Sequence, residues 1–188
     1  MAAKRSNAKR IEGACLVLLL LVGRPSTATV LVPADLSELA RDARAIVRGR
    51  VMRLDAQWTD DRRTIETVVT LEAEGYLKGS LGPTLQFRVP GGELGRFRSI
   101  TVGAPLFAVD ERIVVFLGAA GPSVPYVLGL NQGVFRMLRA DVGWVVMPPP
   151  AVPSAAGAGR IVRGDRSRGP LPLADFEQRV RQFIGGPR

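Results

Sequence analysis

The chain has 188 residues, 46% of them hydrophobic, with a formal net charge of +9, no histidine and one cysteine. That length suits a single compact domain plus a tail. The missing histidine removes the commonest general base and zinc ligand, and the lone Cys15 leaves no disulfide and no cysteine metal cluster.

Residues 1–28 read as a cleavable export signal. Lys4, Arg5, Lys9 and Arg10 form a positive start, Ala14 to Gly23 an apolar run, and Gly23-Arg24-Pro25 a break before the small residues Ser26-Thr27-Ala28. The run is about half the roughly 20 residues a spanning helix needs. Cleavage is expected between Ala28 and Thr29, giving a periplasmic or secreted protein with no transmembrane helix in its mature chain. Cys15 lies inside the signal, near the start of the apolar run, so lipidation is not expected and the mature domain has no thiol. Removing residues 1–28 leaves 21 basic and 16 acidic residues, a moderate +5 that falls short of a dedicated nucleic-acid binder. Of the 21 cations only Lys78 is a lysine, a bias that GC-rich codon usage explains without a ligand.

The β domain is expected over residues 29–147. It opens with a short helix, where Asp35 caps and Glu38 completes a capping box. Leu36, Leu39, Ala40 and Ala43 share one face, suited to packing across a barrel or sheet end. From Ala45 the period becomes strand-like. Ala45–Leu54 is followed by the clearest strand, Thr64–Leu77, in which Ile65, Thr67, Val69, Leu71 and Ala73 alternate with mostly polar residues. Gly75 would let so long a strand bend. Shorter strands are expected at Thr84–Val89, Ser99–Val102, Arg112–Leu117, Tyr126–Leu130, Gly133–Leu138 and Val142–Met147, separated by Gly- and Pro-containing turns. The fold class is therefore mainly β, a small OB-like barrel or a sandwich.

Residues 148–170 are rich in Pro, Ala and Gly and read as a flexible linker. Arg160, Arg163, Arg166 and Arg168 cluster there against Asp165 alone, a possible polyanion contact or simply a solvated tether. Residues 171–186 form a C-terminal amphipathic helix. Leu173, Phe176, Val180, Phe183 and Ile184 give its apolar face, with Asp175 and Glu177 each four residues before an arginine. So short a helix is marginal alone and should dock on the β domain or on a partner.

Three kinds of chemistry survive the absence of histidine, each weakly marked. Glu93, Asp110 and Glu111 are candidates for a carboxylate pair. Lys78-Gly79-Ser80 places the mature chain's only lysine beside a serine, although a catalytic lysine would require burial. Gly91-Gly92-Glu93-Leu94-Gly95 lacks both the dinucleotide pattern and a Walker lysine. Asp60-Asp61 lacks the spaced oxygens of a calcium loop. No catalytic residue, metal or cofactor is expected.

Several motifs carry a resemblance: Ala45-Ile46-Val47-Arg48-Gly49-Arg50-Val51, Tyr76-Leu77-Lys78-Gly79, Pro90-Gly91-Gly92, Glu111-Arg112-Ile113-Val114-Val115-Phe116-Leu117 and Gly129-Leu130-Asn131-Gln132-Gly133. Over about residues 35–139 the chain resembles uncharacterised exported bacterial proteins whose pattern is similar to the OB-fold barrel of netrin-like, metalloproteinase-inhibitor-like domains. It departs from that pattern in lacking mature cysteines and in having Asp110 where glycine is expected. The resemblance implies a barrel and does not imply protease inhibition. The expected role is an exported, non-enzymatic binding or structural module. Its partner would be an envelope protein or glycan and not nucleic acid. The alternatives are a carboxylate-based envelope hydrolase and a structural subunit docking through its C-terminal helix.

Overall fold

The computed structural model describes residues 35–119, 124–141, 143–149 and 169–185. The Ala28–Thr29 cleavage site and Arg160, Arg163, Arg166 and Arg168 lie outside the described residues.

Helix α1 (Leu36–Asp42) starts as its capping box dictates, the Asp35 N–H donating to Glu38 Oε2 at 3.2 Å. Its last carbonyls, left free by helix geometry, accept from the Lys78 ammonium: Ala40 O at 2.9 Å and Arg41 O at 2.7 Å. Lys78 is thus a C-terminal helix cap.

Strands β1 (Ala45–Trp58) and β2 (Ile65–Lys78) form a long antiparallel hairpin with three register shifts. Each shift adds twist and lets the hairpin coil. The shift between Val51 and Arg53 also changes which face the following residues occupy. Before it, Ala45, Val47 and Val51 point into the barrel; after it, Leu54 packs on that core and Met52 is left outside, 41% exposed. Another shift falls between Arg48 and Gly49, skipping Glu74 beside Gly75. There the strands approach so closely that a Cβ on Gly49 would stand 2.2 Å from the Glu72 carbonyl oxygen.

Because β1 curls, it pairs with β2 on one edge and with β6 (Arg112–Gly118) on the other. Strands β3 (Thr84–Pro90) and β7 (Tyr126–Val127) complete a closed five-stranded barrel in the order β1-β2-β3-β7-β6-β1. The β3–β7 pairing is parallel and slight, Arg88 opposite Tyr126 with Arg88 N donating to Pro125 O; the other pairings are antiparallel. This is an OB-like Greek-key barrel, so the barrel and not the sandwich is the architecture formed. Its interior holds Val47, Val69, Leu71, Phe87, Ile113, Val115 and Leu117.

β6 is buried on both faces. Ile113, Val115 and Leu117 fill the barrel, while Val114 and Phe116 enter a second core outside it. That core is built by α1, β8 (Val134–Ala140), β9 (Gly143–Met147), the short β10 (Leu171–Pro172) and helix α2 (Leu173–Gly185). A chain of rings runs through it: Phe116–Phe135 centroids lie 5.4 Å apart and Phe135–Phe176 5.0 Å. Phe176 and Val180 of α2 are buried, and Glu177 reaches Arg48 of the barrel at 2.9 Å. The C-terminal helix therefore docks on its own domain.

Three sequence expectations change. Helix α1 lies against the outer face of β6 beside α2, where Leu39 and Ala40 are buried, instead of across a barrel end. The strand expected over 99–102 ends at Ser99: β4 (Gly92–Leu94) and β5 (Phe97–Ser99) form a separate hairpin, and residues 100–102 are not strand. The strand expected over 126–130 stops at Val127, because Gly129 and Leu130 adopt positive φ and a 3-10 turn follows at Leu130–Gly133.

Candidate functional site

The carboxylates singled out in the sequence are each held by an arginine. Glu93 pairs with Arg98 at 3.0 Å, Asp110 with Arg50 at 3.5 Å and Glu111 with Arg136 at 2.6 Å. The structure does not bring Glu93 to the other two: it sits on β4, whereas Asp110 and Glu111 precede β6 and bond to Val51. Lys78 is engaged with α1 and Ser80 is exposed. Gly91 to Gly95 form one side of the β4–β5 hairpin, with Gly91, Gly92 and Gly95 at positive φ. Thr67 Oγ1 donates to Gly91 O at 2.7 Å, and a Cβ on Gly92 would stand 2.7 Å from that hydroxyl. This loop is packed tightly onto β2 and serves as a turn.

One buried polar cluster was not legible in the sequence. Glu66, the only charged residue among the buried described ones, accepts from Gln57 Nε2 at 2.8 Å and pairs with Arg88 at 3.1 Å. Its partners lie on neighbouring strands, so nothing local announces it.

A concave feature lies at the barrel end where β1 finishes, β2 begins and β3 finishes. The β4–β5 hairpin and the segment from Ile100 to Phe107 fold over this end and enclose a groove of about 570 Å3. Leu54, Ala56 and Val89 form its floor, Gly91, Gly92 and Glu93 one wall, and Arg98, Thr101, Leu106 and Phe107 the other. Size, apolar floor and few polar groups match the general character of ligand sites, and barrel mouths are frequent locations for them.

Around the groove the chain exposes apolar side chains. Ile100 is 74% exposed, Val102 85% and Leu106 83%. Phe97, also exposed, meets Trp58 edge-to-face with centroids 5.4 Å apart and carries the Arg96 guanidinium 5.0 Å above its ring. Exposed apolar residues are normal when scattered and informative when gathered. Here they fall on one short segment and its immediate neighbour.

That segment is irregular yet fixed. Phe107 turns inward against Phe87, 5.6 Å between centroids, and Pro105 is buried. Gly103 O accepts from Asn131 N, and Leu106 O accepts from Arg136 Nη2 at 2.6 Å. Ala108 N donates to Glu111 Oε2, and Asp110 N to Val51 O. The backbone is anchored at both flanks while three aliphatic side chains project into solvent. A surface ordered in advance loses little entropy on binding.

A second cavity, about 350 Å3, lies in the outer core between α1, α2 and β9. Leu36, Leu39, Phe135, Phe176 and Phe183 wall it, and Pro149 and Gly169 border it.

Among the described residues, no group of three or more carboxylate, histidine or cysteine side chains is placed to hold a metal ion. No protein-family model, curated protein or solved structure matches the chain, so its function is read from the geometry alone.

Proposed function

We propose that this chain is an exported module that binds a component of the cell envelope through the groove and apolar rim at one end of its barrel, without doing chemistry on it. One observation carries the reading: Ile100, Val102 and Leu106 are held out in water on a backbone pinned by named hydrogen bonds. Leaving such residues exposed gains the folded chain nothing; covering them by a partner would remove apolar surface from water, worth about 25 cal/mol per Å2. Export is inferred from the n-region, apolar run and small-residue order of residues 1–28, and the periplasm or the secreted fraction is where it would act. The hydrolase alternative is weakened because Glu93, Asp110 and Glu111 are each ion-paired. The subunit alternative would use the apolar face of α2, whose Phe176 and Val180 are already covered by this chain.

The test is affinity capture of the C-terminally tagged protein from its own envelope, beside a variant carrying Ile100→Ser, Val102→Ser and Leu106→Ser. Components retained by the wild type and lost from the variant support the proposal. Equal retention by both would refute it.

A further inference from the structure

Resting on that reading of the barrel end, we propose that its partner is an anionic lipid surface, against which the barrel sits end-on with Ile100, Val102 and Leu106 entering the headgroup–acyl boundary. Three features of the same end favour a bilayer over a protein partner.

The first is shape. The three aliphatic side chains stand at 74–85% exposure, Ile100 and Leu106 on the border of the groove and Val102 outside it. A protein partner must supply a pocket for each, whereas a fluid bilayer accepts protruding apolar groups in any arrangement. The second is the kind of residue beside them. Trp58 and Phe97, the latter three residues before Ile100 in the chain, stack edge-to-face, each partly exposed, and an indole with a polar N–H suits the headgroup level.

The third is charge. The carboxylates of this end face arginines: Asp60 and Glu66 share Arg88 at 3.7 and 3.1 Å, Asp61 faces Arg63 at 3.8 Å and Glu93 faces Arg98 at 3.0 Å. Two further arginines bring these four carboxylates and three paired arginines to a net charge of +1. Arg62, in the β1–β2 turn, and Arg96, in the β4–β5 turn, have no ion pair among the described residues. Arg62 borders a hollow together with Trp58, Arg96 lies over the Phe97 ring, and an anionic headgroup layer complements them. Among the described residues no helix is long and apolar enough to span a membrane, so the contact would be peripheral and reversible.

The experiment uses the protein as its own cells export it, mixed with vesicles of phosphatidylcholine alone or of equimolar phosphatidylcholine and phosphatidylglycerol. The chain has two tryptophans, so Trp144→Phe leaves Trp58 as the sole reporter, and co-sedimentation of the unaltered protein gives a second readout. Were the apolar run at residues 14–23 retained, it would hold every variant on vesicles alike. The Trp58 shift, which reports on the barrel end and not on that run, is therefore the deciding readout.

The expected result is a blue shift of Trp58 and co-sedimentation with the anionic vesicles, weakened by salt. Ile100→Ser/Val102→Ser/Leu106→Ser should lose more than about tenfold in partitioning, and Arg62→Gln/Arg96→Gln about fivefold per arginine on anionic vesicles only. All five positions are exposed, so the variants should fold. No Trp58 shift on anionic vesicles, or an equal Trp58 shift in the serine variant, overturns the lipid proposal. Envelope capture then separates the two failures. If a protein is still retained in a rim-dependent way, the binding-module reading stands with a protein partner; if it is not, both fall.

Discussion

At the scale of single residues, Gly49 is the position where the coiled hairpin tolerates no side chain. Gly49→Ala would drive a methyl into the Glu72 carbonyl and should cost about 3 kcal/mol in denaturant unfolding. An unchanged midpoint would mean that the Gly49 bulge is misplaced. The Glu66 cluster makes a comparative prediction. Arg88→Met strands a buried carboxylate and should cost about 2 kcal/mol, whereas Arg98→Met removes an exposed pair, 67% accessible on both sides, and should cost less than about 1 kcal/mol. Asp61 provides a pH test. Its carboxylate accepts from the Thr59 hydroxyl at 2.6 Å and the Arg63 N–H at 3.2 Å, which hold its pKa below the ordinary aspartate value. A depressed folded value means the β1–β2 turn keeps this support above the unfolded aspartate pKa and loses it as pH falls through the folded one. An NMR titration should place the Asp61 midpoint below that of an unstructured aspartate, and Thr59→Ala should raise it. The sequence showed none of these three features. Gly49 is one residue of the expected Ala45–Leu54 strand, Glu66 one of the polar residues alternating along Thr64–Leu77 and Asp61 half of an acidic pair, and each owes its role to a neighbour on another strand or across a turn.

At the scale of elements, legibility followed locality. The strict alternation of residues 65–73 marked β2, and Asp35 with Glu38 marked the start of α1, since both signals reside within the element. The outer core was less legible. Its centre is β6, whose apolar run Ile113 to Leu117 reads as one buried strand, and nothing local says that its two faces enter different cores. The segment after Ser99 was misread for an instructive reason. Ile100 and Val102 alternate with polar residues as in a strand, but no partner strand lies beside them and both remain in water. The alternation was sound and its burial was not, and that mismatch is the mark of the candidate site. Element-scale energetics yield a further prediction. Phe176 joins α2 to Phe135 of β8, so Phe176→Ala should cost about 4 kcal/mol and expose the outer core, whereas Leu138→Ala, at a position 53% exposed, should cost far less. Equal costs would show that α2 contributes little to the fold.

At the scale of the whole molecule, the chain divides its labour. One side of the barrel is spent on stability, with β6, α1, α2, β8 and β9 closing a second core around the aromatic chain. The β1-finishing end is spent on exposure, with a groove, an aromatic pair, three projecting aliphatics and two arginines without an ion pair among the described residues. The barrel itself could be anticipated from the sequence. Its exposed end could not, because the groove is assembled by residues from Leu54 to Phe107 that meet only when the hairpin coils and the β4–β5 hairpin folds over it. The most direct test is photo-crosslinking in the native envelope from a probe at Val102, compared with one at Gln86, an exposed position on the outer face of β3. The account predicts adducts, to lipid or protein, from position 102 and none above background from position 86. Adducts from position 86 alone would place the binding surface on the side of the barrel and contradict the assignment of its end.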